Sequence, residues 1–127
     1  MAMLAVRQGT IVLVYDSRLG FGSGWNFYSK SRPCWVAKVD GPTVQVVPFT
    51  TQIRPGRFRF RAGTGGLRAD CCLAPMLVEL YGADLGPAVG WLDVRDVSAA
   101  LEHMLVGPDQ AAVRQILSEI DPPDLAA

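Results

Sequence analysis

The sequence predicts a mainly β domain closed by helices at its C-terminal end. Two patterns predict it. Up to about residue 92, short runs of β-branched and aromatic residues alternate with Gly-, Pro- and Asp-rich turns. From Asp93 onward the apolar residues recur at helical spacing instead. The 127 residues suit one domain with a real core, and half of them are hydrophobic, which argues against disorder away from the ends.

The first predicted strand is Thr10–Asp16, TIVLVYD, opened by Gly9. It is almost wholly apolar, so it should be central. Ser17–Lys30 follows as a long loop with three glycines (Gly20, Gly22, Gly24) and four aromatics (Phe21, Trp25, Phe27, Tyr28). A loop of this length in a compact domain is usually functional or disordered. Its rings either stack on nucleobases or cap the core. A hairpin comes next. Cys34–Val39 and Thr43–Val47 read as its strands, and Asp40-Gly41-Pro42 as its turn. Antiparallel pairing returns Thr50, Thr51 and Gln52 to the end of the hairpin that carries Ser31 and Arg32. A cation, hydroxyls and an amide are thereby gathered at one sheet end.

Ile53–Gly56 is a turn. Arg57–Arg61, RFRFR, alternates strictly. The alternation predicts a strand with Phe58 and Phe60 toward the core and Arg57, Arg59 and Arg61 on the other face. That face either binds an anion or protects an exposed edge by charge. Gly63–Gly66 lacks the following Gly-Lys-Ser/Thr of a nucleotide-cradling loop. Asp70–Ala74 and Met76–Tyr81 read as strands interrupted by Pro75, and Gly82–Leu92 as turn-rich with an apolar piece at Ala88–Trp91. A helix is expected over Asp93–Val106, capped by Asp93, with Val94, Val97, Leu101, Met104 and Leu105 on one stripe. Gly107-Pro108 stops it. A second helix, about Asp109–Ile120, puts Val113, Ile116, Leu117 and Ile120 on one face. His103 falls on a polar helix face, with no partner base or nucleophile at a recognisable spacing.

The net charge is zero, but residues 1–69 hold ten cations against two carboxylates and residues 70–127 hold two against ten. Either the first half presents a phosphate-binding face, or the halves fold together and the charges interleave. Cys34, Cys71 and Cys72 form neither a disulfide framework nor a Cys-x-x-Cys site, and read as buried thiols of a reducing, cytoplasmic compartment. No His/Cys/Asp/Glu cluster has ligand spacing, so no metal or other cofactor is expected. No apolar run approaches the roughly 20 residues that span a bilayer, and the start lacks a signal peptide's pattern.

Gly9-Thr-Ile-Val-Leu-Val, Ser31-Arg-Pro-Cys-Trp-Val, Val47-Pro-Phe-Thr-Thr-Gln52, Gly66-Leu-Arg-Ala-Asp70 and a helix after Gly90-Trp-Leu occur in this order. Together they resemble the MazF/PemK toxins of type II toxin–antitoxin systems. The resemblance covers about residues 7–106. It implies a small SH3-like β-barrel with a C-terminal helix (barrel domain 1–107, helical extension 108–127) and a homodimer. It also implies a metal-independent endoribonuclease that cleaves single-stranded RNA such as mRNA and is held inactive by a cognate antitoxin. Position by position, Arg32 matches the family's catalytic arginine and Thr50 its catalytic threonine. A planar guanidinium can bind two oxygens of a phosphorane, and a threonine hydroxyl can donate one further hydrogen bond. The alternatives are a structural ion pair for Arg32 and a turn hydrogen bond for Thr50. Thr51, Gln52, Lys30, Arg57, Arg59, Arg61, Trp25 and Phe27 are the expected substrate-binding residues. Two other readings of the same barrel stay open: a nucleic-acid-binding module without catalysis, and a toxin that poisons a protein in the manner of gyrase inhibitors.

Overall fold

The protein is seen here in a computed structural model, which describes residues 6–20 and 30–120. Six strands form one antiparallel sheet: β1 (Thr10–Tyr15), β2 (Ser31–Asp40), β3 (Thr43–Thr50), β4 (Cys72–Leu73), β5 (Val78–Tyr81) and β6 (Ala88–Trp91). The strand order is β4-β3-β2-β1-β6, so β1 is central as its apolar run requires. β5 also pairs with β3, along Thr43–Val46, while β4 pairs with Phe49 and Thr50. The sheet curls into a half-barrel, which is the expected mainly β architecture with C-terminal helices.

The β2–β3 hairpin forms as expected. Asp40 pairs with Thr43 across a two-residue turn in which Gly41 takes a φ of 60°. Both faces of this sheet are covered, so β1 and β2 read as near-continuous apolar runs rather than alternating ones. Ile11, Trp35, Ala37, Val47 and Phe49 point into one cluster, and Val12, Val14, Cys34, Val36, Val44 and Val46 into another. Trp35 is fully buried and satisfies its indole N–H on the Leu92 carbonyl at 2.9 Å. β6 lies against the 3-10 turn Thr64–Gly66 so closely that a Cβ on Gly90 would meet the Gly65 carbonyl oxygen at 1.7 Å.

The first helix predicted from the sequence is α2 (Val94–His103), continued by a 3-10 turn over Met104–Val106; Asp93 caps it through Arg95 N–H at 2.8 Å. α3 (Gln110–Glu119) buries Val113 and Ile116 in the same cluster as Trp35 and Phe49, with Leu117 and Ile120 packed beside them. A one-turn helix, α1 (Asp16–Leu19), occupies the start of the predicted Ser17–Lys30 loop; Phe21, Trp25, Phe27 and Tyr28 lie outside the described residues.

Arg57–Arg61 does not form the strand that its alternation predicts. Only Phe60 pairs, as an isolated bridge to Cys71, and Phe58 is 42% exposed against the ring of His103 rather than in the core. The cause is the preceding turn, where Arg57 N–H bonds the Arg54 carbonyl and Gly56 takes a φ of 84°. Alternation carries an exposed strand only where a neighbouring strand supplies backbone partners. The charge halves interleave: Arg57 pairs with Asp109, Arg59 with Asp70 and Arg18 with Asp84.

Because α3 supplies buried core side chains, Ile116→Ala should lower the unfolding free energy by about 2–5 kcal/mol, the range for a large-to-Ala change in a packed core. Urea denaturation measures it. A loss below about 0.5 kcal/mol, typical of surface changes, would mean that α3 is only loosely attached.

Candidate active site

The site grows out of strand alternation. The parity that sends Val12 and Val14 of β1, Cys34 and Val36 of β2, and Val44 and Val46 of β3 to one face sends Asp16, Arg32 and Thr50 to that face at the end of the sheet. There the apolar row stops and polar groups take over. β1 and β2 pair through Tyr15↔Ser31 and Val14↔Arg32, and Asp16 N–H bonds the Lys30 carbonyl at 2.9 Å. Asp16 is thus a diagonal neighbour of Arg32, within reach of a long side chain.

The two form a forked pair. Arg32 Nε donates to Asp16 Oδ1 at 2.6 Å and Nη2 to Oδ2 at 3.0 Å, while Nη1 donates to the Phe49 carbonyl at 3.3 Å. The side chains are 15% and 6% exposed. The hydrogen bond to Asp16 raises the pKa of Arg32, against the opposing effect of burial, so the guanidinium stays charged at any working pH. A pair this dry costs desolvation, and it persists because the geometry is bidentate and a third donor is used on β3. Breaking it by removing one partner costs about 3–5 kcal/mol.

Thr50 ends β3. Its Oγ1 accepts from Gln52 N–H at 3.1 Å, which is the turn hydrogen bond expected as an alternative role. The hydroxyl proton has no acceptor among the described residues, so the turn hydrogen bond leaves it able to donate. Thr51 and Gln52 are exposed beside it.

These groups line a cleft of about 740 Å³ with Lys30, Ser31, Pro33, Arg54 and Arg57. Arg57 reaches it from the turn after β3, donating to Asp109 Oδ2 at 2.6 Å and to the Leu73 carbonyl at 3.2 Å. Arg59 and Arg61 do not line the cleft. Arg59 lies 3.7 Å from Asp70 on the surface, and Arg61 is exposed. Trp25 and Phe27 fall outside the described residues. Sequence reasoning missed Asp16 and Asp109. The signal for Asp16 was its place at the end of the central strand opposite the start of β2; Asp109 had no signal, since its partner is 52 residues away. Among the described residues no group of three or more His, Cys, Asp or Glu could hold a metal ion, and no helix is long and apolar enough to cross a membrane.

The curled antiparallel sheet with C-terminal helices matches the fold of solved MazF-type structures. A mycobacterial endoribonuclease described in complex with its cognate antitoxin matches with 18% identity and a TM-score of 0.53, over 93% of this chain and 100% of its own. The Mycobacterium tuberculosis toxin MazF-mt6 matches with 17% identity and a TM-score of 0.56, over 89% and 99%. A further mycobacterial endoribonuclease matches with 16% identity and a TM-score of 0.53, over 97% and 100%. At these identities the likeness establishes the fold. No family model matches the sequence, and no curated protein matches it.

Burial pushes the Cys34 thiol, beneath Arg32, up to about 12, and the Cys71 thiol at the cleft up to about 11. A raised folded-state value means that the protonated thiols favour the fold fully below the unfolded value near 9, and that this contribution is lost as pH climbs from about 9 to 12. Native protein should therefore resist iodoacetamide at Cys34 at pH 8, whereas urea-unfolded protein reacts. Mass spectrometry of the labelled peptide checks this, and fast native labelling of Cys34 would contradict the buried, protonated state.

Proposed function

We propose that the chain is a toxin of a toxin–antitoxin system that cleaves single-stranded RNA without a metal ion. The observation that carries this reading is the Arg32 guanidinium, fixed by Asp16 beside the Thr50 hydroxyl in a cleft with Lys30 and Arg54. The fold it shares with solved endoribonucleases supports it. The RNA supplies its own nucleophile. Its 2′-hydroxyl gives its proton to water as the oxygen attacks the adjacent phosphorus, the bond to the 5′-oxygen breaks, and that oxygen takes a proton from water, leaving a 2′,3′-cyclic phosphate and a 5′-hydroxyl. The phosphorane carries extra negative charge, which a preorganised guanidinium stabilises more than it stabilises the ground state. Arg32 binds that charge, and Thr50 donates its hydroxyl hydrogen to one of the same oxygens. Asp16 is a positioning residue: it holds the guanidinium plane through two bonds. Arginine is a poor general base because it stays protonated.

Lys30 and Arg54 have no carboxylate partner among the described residues and bind flanking phosphates. Trp25 and Phe27 belong to the reading as stacking surfaces for bases, with Thr51 and Gln52 as hydrogen-bonding groups. A cognate antitoxin is the proposed inhibitor, as in the neighbour described with one; a segment carrying carboxylates would compete for the same cations. A cytoplasmic homodimer completes the reading.

Arg32→Ala should cut cleavage by roughly 10²–10³, the loss typical of removing one preorganised donor to a developing oxyanion. Arg32→Lys retains a cation for Asp16 but loses the fork, and should be strongly impaired while folded by circular dichroism. Cleavage should survive EDTA and leave a 2′,3′-cyclic phosphate end. Full activity of a folded Arg32→Ala protein, or a strict magnesium requirement, would sink the assignment.

Phosphate contacts are read separately, by salt. Lys30→Ala and Arg54→Ala should each lower the slope of log affinity against log salt by about 0.7 for a single strand, and Arg59→Ala, paired with Asp70 away from the cleft, by less. Equal slopes for wild type and all three variants would place the RNA backbone elsewhere.

A further inference from the structure

We infer that Asp109, held by Arg57, forms a base-reading subsite for a nucleobase with an exocyclic amino group, cytosine being the smallest case. The inference rests on the reading of the cleft as an RNA site and adds what one end of it selects. Asp109 stands at the position that begins α3, where an aspartate ordinarily caps its own helix. It makes no such cap. Its carboxylate turns across to Arg57 at 2.6 Å and lines the cleft instead.

The charge balance there argues against a phosphate. Arg57 is only 10% exposed and already spends donors on Asp109 and on the Leu73 carbonyl. An incoming phosphate would find that guanidinium engaged and a carboxylate beside it. A neutral base meets neither obstacle. Asp109 Oδ2 is taken by Arg57, and no donor reaches Oδ1 among the described residues, so Oδ1 can accept from an amino group. The chain that follows Leu73 supplies Ala74, Pro75 and Met76 to the same cleft, an apolar wall suited to the face of a base. Cytosine offers N4–H₂ to a carboxylate acceptor, whereas uracil places a carbonyl oxygen at that position, acceptor against acceptor.

The test uses hexadeoxynucleotides, which lack the 2′-hydroxyl and cannot be cleaved by this chemistry. Wild-type protein should bind oligo-dC more tightly than oligo-dU by roughly 5- to 150-fold, the range for one good base contact. An oligomer of N4,N4-dimethyldeoxycytidine, which has no donor hydrogen, should fall to the oligo-dU level. That arm uses the wild-type fold alone, so it decides the matter even where a variant is unstable. In Asp109→Asn the dC/dU ratio should move toward one. Binding of all three oligomers with equal affinity overturns the base-reading role and leaves the RNA cleft standing. Tighter binding of every oligomer by Asp109→Asn, with a steeper salt dependence, also overturns it, since Asp109 would then be competing with phosphate. Absence of binding to any oligomer overturns this inference, while the cleavage assay on RNA tests the reading of the cleft itself.

Discussion

The bidentate pair between Asp16 and Arg32 is the interaction on which the site depends. It ties the last turn out of the central strand to the first residues of β2, and through the Phe49 carbonyl it also touches β3. Three strands are therefore registered by one guanidinium at the point where their shared apolar row ends. The arrangement has a cost and a use. Two charges are almost withdrawn from water, which disfavours folding unless both remain paired. In return, the donor that would meet a phosphorane is held in place before substrate arrives, which is the condition under which charge stabilisation needs little reorganisation. Stability and the placement of this donor are thus coupled at Arg32.

The same parity explains why the core and the site are continuous. Cys34 lies one step below Arg32 on the same face, with its thiol 3.7 Å from the Arg32 carbonyl oxygen. Cys34, Val14 and Val36 form a dry floor under the ion pair. Removing water from one side lowers the local dielectric, so the Asp16–Arg32 attraction is stronger than at an open surface. It also accounts for the protonated thiol directly beneath a cation: burial outweighs the attraction to Arg32.

Much of this was legible in the sequence, and the residues show where legibility stops. The hairpin was readable because Asp40-Gly41-Pro42 joins two β-branched runs, and antiparallel geometry alone then brings Thr50 toward Arg32. The helices were readable from their stripes; Val97, Leu101, Val113 and Ile116 are all buried as spaced. The Arg57–Arg61 segment was misread because a period of two describes one strand and says nothing about a partner. Phe60 found a bridge to Cys71, while Phe58 did not. Asp16 was missed because its place is defined by β1–β2 register, and Asp109 because its contact spans 52 residues of sequence.

The cleft does not behave as the basic face that the charge of residues 1–69 suggests. Its four cations, Lys30, Arg32, Arg54 and Arg57, face two carboxylates, Asp16 and Asp109, each fastened to one arginine. The arginines that are most buried are the neutralised ones, as desolvation requires. The cleft cations without a carboxylate partner among the described residues are the exposed Lys30 and Arg54. Attraction and discrimination are accordingly separated in space. Exposed, unpaired charge draws a backbone in and is weakened by salt. Buried, paired guanidinium groups have little net charge to attract with, but they offer donors and acceptors at fixed positions that salt scarcely affects. On the proposed reading, a cleft built this way would bind many strands weakly and orient few of them well, and the second of these properties would be set by Asp16 and Asp109 as much as by the arginines they hold.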